Sequence, residues 1–434
     1  MNGTSVPREQ ISRIVSVDVI RGLTILLMVF VNDLGPSAPS WLHHIQPPDA
    51  DGMTLADIVF PFFLFIAGMS IPLAVDKARS RGQSRIQILR HVLIRSVALL
   101  LMGIVGVNRS AEVTLGPSLW GLLSYIAIIL AWCVVPADQG PRRNVFMAMK
   151  AAGVVGLIVM AAIYRRDPVE TEILFRGTVT DWSWLRTSWW GILGLIGWAY
   201  LICGSLYLLL GSRREWLTGA LALLMLQCIV SREGGYFAHV ETKPWLSGAL
   251  PLIEGWERIL DTISRFADLG SILSSLPAVT MAGCILGTTL TPSSDVQTPR
   301  NRTVWCLTYA AGLFVAGLMT DTFGGINKIA ATPTWCFWCA SLAAMLWLAV
   351  YLVVDVLQIS RWTVVLRPAG ANPLLAYLLH PIILFILSLT GLSQFVRSYA
   401  DSTSGIAVAG SFVMAAAVCG LTWLLARAGL RLRV

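Results

Sequence analysis

Two adjacent histidines, His43 and His44, occupy a polar stretch between two long apolar segments. A histidine titrates at about pH 6.5, so it can take a proton from an attacking hydroxyl or amine, and it can also accept an acyl group itself. Both mechanisms stay open at this stage. Asn32 precedes the stretch and could orient a histidine or hold a substrate group. Asp57 follows it and could support catalysis or cap the helix that it begins.

Two further charges, Asp18 and Arg21, lie at the edge of the first apolar segment. They are three residues apart, which places them on one helix face. A charge near the centre of a bilayer costs about 2.5–3.5 kcal/mol on insertion scales, so such residues usually pair or line a polar cavity. Two roles fit this pair equally well: a structural ion pair at the cytoplasmic mouth of the polar cavity, or a contact to a ligand.

Polar residues also flank two later apolar segments. G-G-I-N-K-I-A-A-T-P carries Asn327 and Lys328, and P-A-G-A-N-P-L-L-A-Y-L-L-H carries Asn372 and His380. We expect Asn327, Lys328 and Asn372 to contact a substrate, and His380 to be a buried polar residue with a neighbour for a partner. The sequence contains no phosphate-binding glycine loop, zinc motif or Ser-His-Asp signature, and we expect no metal.

The composition identifies the elements that must position these residues. The chain has 434 residues, 56% of them hydrophobic and 13% charged, with a mean hydropathy of +0.71. Only a polytopic helical membrane protein fits these values. The net charge of +8 does not indicate nucleic-acid binding, because a basic excess in a membrane protein usually lies in the cytoplasmic loops. The eight cysteines lie in apolar segments and are expected to pack there, including the C-F-W-C at 336–339.

The predicted fold is all-α, a single integral-membrane domain over residues 1–434 with about twelve transmembrane helices. The first apolar run is too long for a cleavable signal peptide. Eleven spans is the alternative count, because the seventh segment is short and the eighth contains Pro277. The predicted segments are 14–34, 54–75, 88–107, 117–135, 145–163, 188–210, 214–231, 271–290, 304–320, 334–354, 372–390 and 406–427.

Lysine and arginine are concentrated in alternate loops, which predicts that both termini are cytoplasmic. The bias is strongest around Lys77, Arg79 and Arg81, a cluster that could also attract the phosphates of a nucleotide-like cofactor. The histidine loop then lies outside, together with two longer outer segments, about 164–187 and 232–270. The second contains an amphipathic pattern typical of a helix on the membrane surface.

An ordered series of blocks resembles the heparan-α-glucosaminide N-acetyltransferase family, in particular bacterial relatives of unassigned substrate. The blocks are S-V-D-V-I-R-G-L-T-I-L-L-M-V-F-V-N, the loop histidine, D-G-M-T-L-A-D-I-V-F-P-F-F-L-F-I-A-G, L-G-S-I-L-S-S-L-P-A, G-G-I-N-K-I-A-A-T-P-T-W-C and R-P-A-G-A-N-P-L-L-A-Y. The resemblance implies a transmembrane acetyltransferase that takes acetyl-CoA from the cytoplasm and a glucosamine amine from the outer face. It also implies a catalytic histidine in the first outer loop. The L-H-H-I context favours His44, whereas the spacing from Asn32 favours His43.

Two departures from the family lie where an acceptor would approach. The histidine loop has extra residues in Q-P-P-D-A-D-G, and the sixth and seventh helices are additional. We therefore expect acetyl transfer to an outer amino sugar or glycan other than heparan, in a bacterial plasma membrane. Asp18, Arg21 and Asn32 would line the donor's route.

Two other classes fit part of the same pattern. A secondary transporter of a small polar or sugar-like solute would also have twelve helices and intramembrane charges. A catalytically silent, glycan-binding relative would keep the fold without binding the donor. A homodimer is compatible with either class and with the enzyme.

Overall fold

A computed structural model describes residues 14–108, 115–137, 140–165, 170–173, 177–180, 184–187, 189–232 and 271–433. Apart from one antiparallel hairpin, β1 (Glu170–Ile173) and β2 (Gly177–Thr180), the regular structure in these ranges is helical. The prediction of an all-α polytopic membrane fold is confirmed. The predicted amphipathic helix within 232–270 lies outside the described residues, and the segment 164–187, which was predicted to lie outside the membrane, is described only in part.

Fourteen α-helices follow one another along the described chain. They are α1 (Val15–Asp33), α2 (Leu55–Ser80), α3 (Arg85–Val107), α4 (Pro117–Ala131), α5 (Pro141–Ile163), α6 (Gly191–Leu210), α7 (Arg214–Arg232), α8 (Leu276–Thr288), α9 (Pro299–Thr320), α10 (Pro333–Tyr351), α11 (Leu366–Ala371), α12 (Pro373–Leu389), α13 (Ser393–Ala400) and α14 (Ser404–Arg427). Short helical turns add Ser40–Leu42, Ser271–Ser275, Leu352–Val356 and Arg361–Val364.

Each of the twelve predicted segments overlaps one of these helices, and α2 extends five residues beyond its predicted end. Among the described residues, eight helices are long and apolar enough to cross a membrane, and three shorter apolar helices cover 117–131, 272–288 and 373–389. Helix α7, the short seventh segment of the prediction, is in neither group. Pro277 does not interrupt the eighth segment, because it lies in the first turn of α8, where a helix needs no N–H donor.

The helix starts follow from the residues that precede them. Ser84 accepts a hydrogen bond from the backbone N of Gln87 at the start of α3, and Thr298 and Thr403 cap α9 and α14 in the same way. These side chains satisfy N–H groups that the first turn of a helix leaves without partners. Five helices, α9 among them, carry proline in the first position, which its fixed backbone angle favours: α4, α5, α9, α10 and α12.

The loops gather at two ends of the helix bundle. Loops 34–54 and 321–332 meet through a contact between His44 and Lys328, and we call this the histidine end. Loop 289–298 meets the start of α7, just after loop 211–213, through Asp295 and Arg214, and we call this the basic end. Val15 also lies at the basic end, where its backbone N donates to Asp355.

Among the described helices, α2 and α8 share the most extensive contact. Gly283 of α8 touches the α2 backbone: a Cβ added there would lie 1.8 Å from the carbonyl oxygen of Phe65. Gly68 of α2 meets the carbonyl of Thr280 in the same way, at 1.9 Å. Small residues allow this approach, which replaces lipid contacts with backbone packing. The crossing fixes the helix that begins at the histidine loop.

Candidate active site

His44 and Asp57 form a hydrogen-bonded pair at the histidine end. His44 Nδ1 lies 2.8 Å from Asp57 Oδ1. The carboxylate is buried, with 1% of its side chain exposed, whereas 49% of the His44 side chain is exposed. The pair therefore combines a fixed, desolvated orienting group with an imidazole that a substrate can reach.

The second oxygen of Asp57 caps α2. Asp57 Oδ2 accepts hydrogen bonds from the backbone N of Thr54 at 3.0 Å and of Ile45 at 3.1 Å. The Thr54 hydroxyl lies 3.0 Å from the same oxygen, and its one proton is shared between this oxygen and the His43 carbonyl. The sequence left capping and catalytic support as alternatives for Asp57. In the structure, Oδ1 contacts His44 and Oδ2 caps the first turn of α2. One side chain therefore makes both contacts.

Lys328 approaches this pair from the loop before α10. Its Nζ lies 3.0 Å from His44 Nδ1, 3.3 Å from His44 Nε2 and 3.9 Å from Asp57 Oδ1. Burial lowers the pKa of Lys328, and the nearby Asp57 carboxylate partly opposes that shift. The three side chains thus form a compact group of one carboxylate, one imidazole and one amine.

Asn327, beside Lys328, clamps the two loops of the histidine end together. Its Nδ2 donates to the carbonyls of Pro48 at 2.9 Å and Ala50 at 3.3 Å, and its Oδ1 accepts from the backbone N of Ala330. The Asn327 amide therefore joins the two loops, and 7% of the residue is exposed.

Asp51 forms the second half of this clamp. Its Oδ1 accepts a hydrogen bond of 2.7 Å from the backbone N of Ile326, whose carbonyl accepts one of 2.8 Å from the N of Gly52. Residues 48–52 of the histidine loop therefore hold it against the loop 321–332, which we call the lysine loop. Their role was not apparent from the sequence, because the two loops are far apart along the chain.

A cavity of about 560 Å³ opens beside His44 and extends between the helices. Its walls are mostly apolar, and its polar lining includes Asn32, His44 and Lys328. Its full lining is Met28, Val31, Asn32, His44, Ala56, Val59, Phe60, Trp189, Ile192, Leu195, Ile272, Leu276, Lys328, Ile329, Ala331 and Trp335. A pocket of this size with few convergent polar groups is the usual form of a small-molecule site.

Of the candidate catalytic residues, Asn32 and His44 line this cavity, whereas His43 does not. The carbonyl of His43 accepts a hydrogen bond from the Thr54 hydroxyl. Its ring Nε2 is buried and has no hydrogen-bond partner among the described residues. Of the two adjacent histidines, His44 is therefore the one whose side chain lies beside the cavity.

Trp335 and Trp189 were not singled out from the sequence, although both line the cavity. Trp335 Nε1 donates to the Asp57 carbonyl at 3.2 Å, and its side chain is fully buried. The sequence feature that could have identified Trp335 is its position in the block G-G-I-N-K-I-A-A-T-P-T-W-C, which resembles the family. Trp189 is 55% exposed and precedes α6, where no motif marked it.

The predicted donor-binding residues lie at the basic end. Arg21 Nη1 contacts Asp18 at 3.4 Å and the Gly370 carbonyl at 3.1 Å, and Arg21 Nη2 donates to Ser70 at 2.6 Å. This pair ties α1 to its neighbours and does not line the cavity beside His44. The cluster Lys77, Arg79 and Arg81 is exposed at the same end.

Asn372 also lies at the basic end, away from the other predicted substrate-binding residues. Its Nδ2 donates to the carbonyl of Leu430 at 3.3 Å, and its Oδ1 accepts from the backbone N of Leu432. It is 3% exposed. These contacts join the start of α12 to the chain after α14, so the structure separates Asn372 from Asn327 and Lys328.

His380 has an acidic neighbour within the bundle, as expected of a buried polar residue. Its Nε2 lies 3.5 Å from Asp33 Oδ1, and the two side chains are 10% and 19% exposed. Neither residue lines the cavity. Among the described residues, no group of three or more His, Cys, Asp or Glu side chains is arranged to hold a metal ion.

These features define a polytopic helical membrane protein with a histidine–carboxylate pair at the mouth of a cavity between its helices. A family described as a domain of unknown function, DUF5009, matches residues 13–240, and the chain belongs to this family.

The chain is also similar to two heparan-α-glucosaminide N-acetyltransferases. It is 38% identical to that of Mus musculus over 113 residues, which are 26% of this chain and 16% of the relative. It is 40% identical to that of Homo sapiens over 108 residues, which are 25% of this chain and 15% of the relative. The resemblance predicted from the sequence is confirmed over this portion. The chain spans about a sixth of the length of these curated relatives.

Proposed function

We propose that this chain is an integral membrane acetyltransferase. It would move an acetyl group from cytoplasmic acetyl-CoA to an amine or hydroxyl of an outer amino sugar or glycan. The observation that carries the proposal is the 2.8 Å contact between His44 Nδ1 and the buried Asp57 carboxylate at the cavity mouth. The partial similarity to N-acetyltransferases supports the acyl-transfer chemistry.

In this proposal His44 is the general base. A proton on Nδ1, donated to Asp57 Oδ1, leaves the lone pair of Nε2 available, and the carboxylate favours the imidazolium that forms next. His44 Nε2 takes the proton from the acceptor as its nitrogen or oxygen attacks the thioester carbonyl. The carbon–sulfur bond breaks, and His44 returns the same proton to the thiolate, so no net proton is released.

A covalent variant uses the same residues. His44 Nε2 would attack the thioester carbonyl, the carbon–sulfur bond would break and CoA would leave as a thiolate. The acceptor would then displace the acetyl group from Nε2, and the proton that the acceptor loses would neutralise the thiolate. In both versions Lys328 lies where its ammonium can stabilise the negative charge that develops on the carbonyl oxygen. Its Nζ is 3.3 Å from His44 Nε2, so it occupies the neighbourhood of the attacked carbon.

The proposed orientation follows the distribution of basic residues. With the basic end in the cytoplasm, Lys77, Arg79 and Arg81 would attract the phosphates of the donor. Asp57 and Lys77 lie on one helix, about 30 Å apart at 1.5 Å per residue. The donor arm would have to bridge that length, and the cavity beside His44 would take its acyl end.

The test is acetyl-CoA binding and slow hydrolysis by the purified protein, compared with His43→Ala and His44→Ala. Hydrolysis without an added acceptor requires no assumption about the acceptor. We expect turnover by the wild type and by His43→Ala, and loss of turnover with retained binding in His44→Ala. Absence of acetyl-CoA binding by the wild type would contradict the proposal and favour a transporter.

A further inference from the structure

The amine of Lys328 lies over the face of the His44 ring. Its Nζ is 3.0 Å from Nδ1 and 3.3 Å from Nε2. A point at such similar distances from both ring nitrogens cannot lie in the plane of the imidazole, because it would overlap the ring carbons. The in-plane position at Nδ1 is also taken by Asp57 Oδ1, at 2.8 Å. The amine therefore faces the ring from above and does not fill the in-plane position at Nε2.

Lys328 and His44 are also the two nucleophilic side chains on the cavity wall. Of the described residues that line the cavity, no other is a serine, threonine, cysteine, tyrosine, aspartate, glutamate, histidine or lysine, the side chains that serve as nucleophiles in covalent transfer. The remaining walls are apolar side chains, the Asn32 amide and the indole rings of Trp189 and Trp335. An acetyl group in this cavity therefore has two protein atoms to which it can be transferred, His44 Nε2 and Lys328 Nζ.

The lysine loop holds the Lys328 amine in this position. The backbone N of Ala331 donates to the Lys328 carbonyl at 3.0 Å, and that of Thr332 donates to the Asn327 carbonyl at 3.0 Å. Only 25% of the Lys328 side chain is exposed. Burial lowers the pKa of its amine, and the Asp57 carboxylate partly opposes that shift. A larger fraction of Lys328 than of an exposed lysine is therefore the neutral amine, which is the nucleophilic form.

We propose that Lys328 is a self-acetylation site, whose amine takes the acetyl group from His44 Nε2 when no outside acceptor is present. This site rests on the covalent version of the proposed function, because the acetyl group must first be on His44. The neutral Nζ attacks the acetyl carbon, a nitrogen–carbon bond forms, and the bond from that carbon to Nε2 breaks. The proton that the amine loses neutralises the CoA thiolate, so acetyl-CoA and lysine give acetyl-lysine and CoA.

The position of Lys328 fits this step. An acyl group on a ring nitrogen is conjugated with the ring and lies close to its plane, so a nucleophile must approach its carbonyl carbon from a face of the ring. Lys328 Nζ is on such a face, and rotation about its side-chain bonds brings it to the attack distance of about 3–3.5 Å. The product is an uncharged amide. The ammonium that would stabilise the carbonyl oxygen is then lost, and the protein inactivates itself.

The experiment is incubation of the full chain in detergent with acetyl-CoA that carries an isotope-labelled acetyl group, without an acceptor. Hydrolysis of acetyl-CoA is followed over time, and the acetylated lysines are located and quantified by mass spectrometry of peptides. Lys77 and Lys150, which are exposed, report uncatalysed acetylation in the same sample. His44→Ala removes the proposed acetyl carrier, and Lys328→Arg keeps the positive charge without a lysine amine.

We expect Lys328 in the wild type to be acetylated about 10²-fold faster than Lys77 or Lys150, the low end of what a positioned catalytic group contributes. Hydrolysis by the wild type should decline in step with that acetylation. In His44→Ala the acetylation of Lys328 should be slower by about the same factor. Hydrolysis by Lys328→Arg, whatever its initial rate, should not decline over time.

The comparison of lysines within the wild type does not depend on whether either variant folds. Hydrolysis without preferential acetylation of Lys328, or equal acetylation of Lys328 in the wild type and in His44→Ala, would overturn this inference and leave the proposed function standing. Absence of both acetyl-CoA binding and hydrolysis in the wild type would overturn the two together.

Discussion

Asp57 contacts His44 through one carboxylate oxygen and caps its own helix through the other. The orientation of the imidazole is therefore tied to the start of α2, which is itself packed against α8. A base held in this way keeps its tautomer without a separate orienting element. The same arrangement makes Asp57 the most informative position to change.

Asp57→Asn keeps the size of the side chain and removes its charge. We expect turnover of acetyl-CoA to fall by about 10²–10⁴-fold, the contribution of a positioned acid–base group, while donor binding persists. Asp33→Asn is the matched control, because Asp33 also neighbours a histidine, His380, away from the cavity. A comparable loss of turnover in both variants would mean that the effect is not specific to the His44 pair.

The alkaline side of the pH–rate profile should report Lys328. Burial lowers the pKa of this amine, so its positive charge is lost at a lower pH than that of a free lysine. If the ammonium stabilises the transition state, turnover falls as pH rises through that lowered pKa. Lys328→Arg should move this decline to higher pH, because a guanidinium stays charged. An unchanged alkaline decline in Lys328→Arg would assign it to another group.

Asn327→Ala removes the clamp between the histidine and lysine loops. The free energy of unfolding should drop by about 1–3 kcal/mol, since the buried amide contacts are lost, and turnover should fall with little change in donor binding. Thermal unfolding and acetyl-CoA consumption measure the two effects. Asn301→Ala, an exposed asparagine of α9, provides the control and should leave both unchanged. Wild-type turnover in Asn327→Ala would show that the clamp does not position Lys328.

Gly283→Ala tests the crossing of α2 and α8. The new methyl group would meet the Phe65 carbonyl at 1.8 Å, so the helices must separate, at a cost of about 1–3 kcal/mol. Gly312→Ala in α9 adds the same group into open space and should raise stability by about 0.5–1 kcal/mol. The measurement is the unfolding temperature of both variants in one detergent. Equal temperatures would contradict the close packing.

The sequence determined the membrane class and the positions of the helices, because twenty-residue apolar stretches have one stable form in lipid. It also marked His43, His44 and Asp57 as candidates, since polar residues beside membrane helices are few. The sequence did not show that Asp57 both caps α2 and contacts His44. An aspartate in the first turn of a helix has the same sequence pattern whether it caps the helix or supports a histidine.

The tertiary structure decided which candidates meet. Lys328 lies 284 residues from His44 along the chain yet 3.0 Å from its ring, and Asn372, predicted for the same site, lies at the basic end. Helix direction alternates along the chain, but the loops that become neighbours at each end depend on helix packing. That packing depends on contacts such as Gly283 with Phe65, which join residues far apart in sequence and leave no periodic signal within either segment.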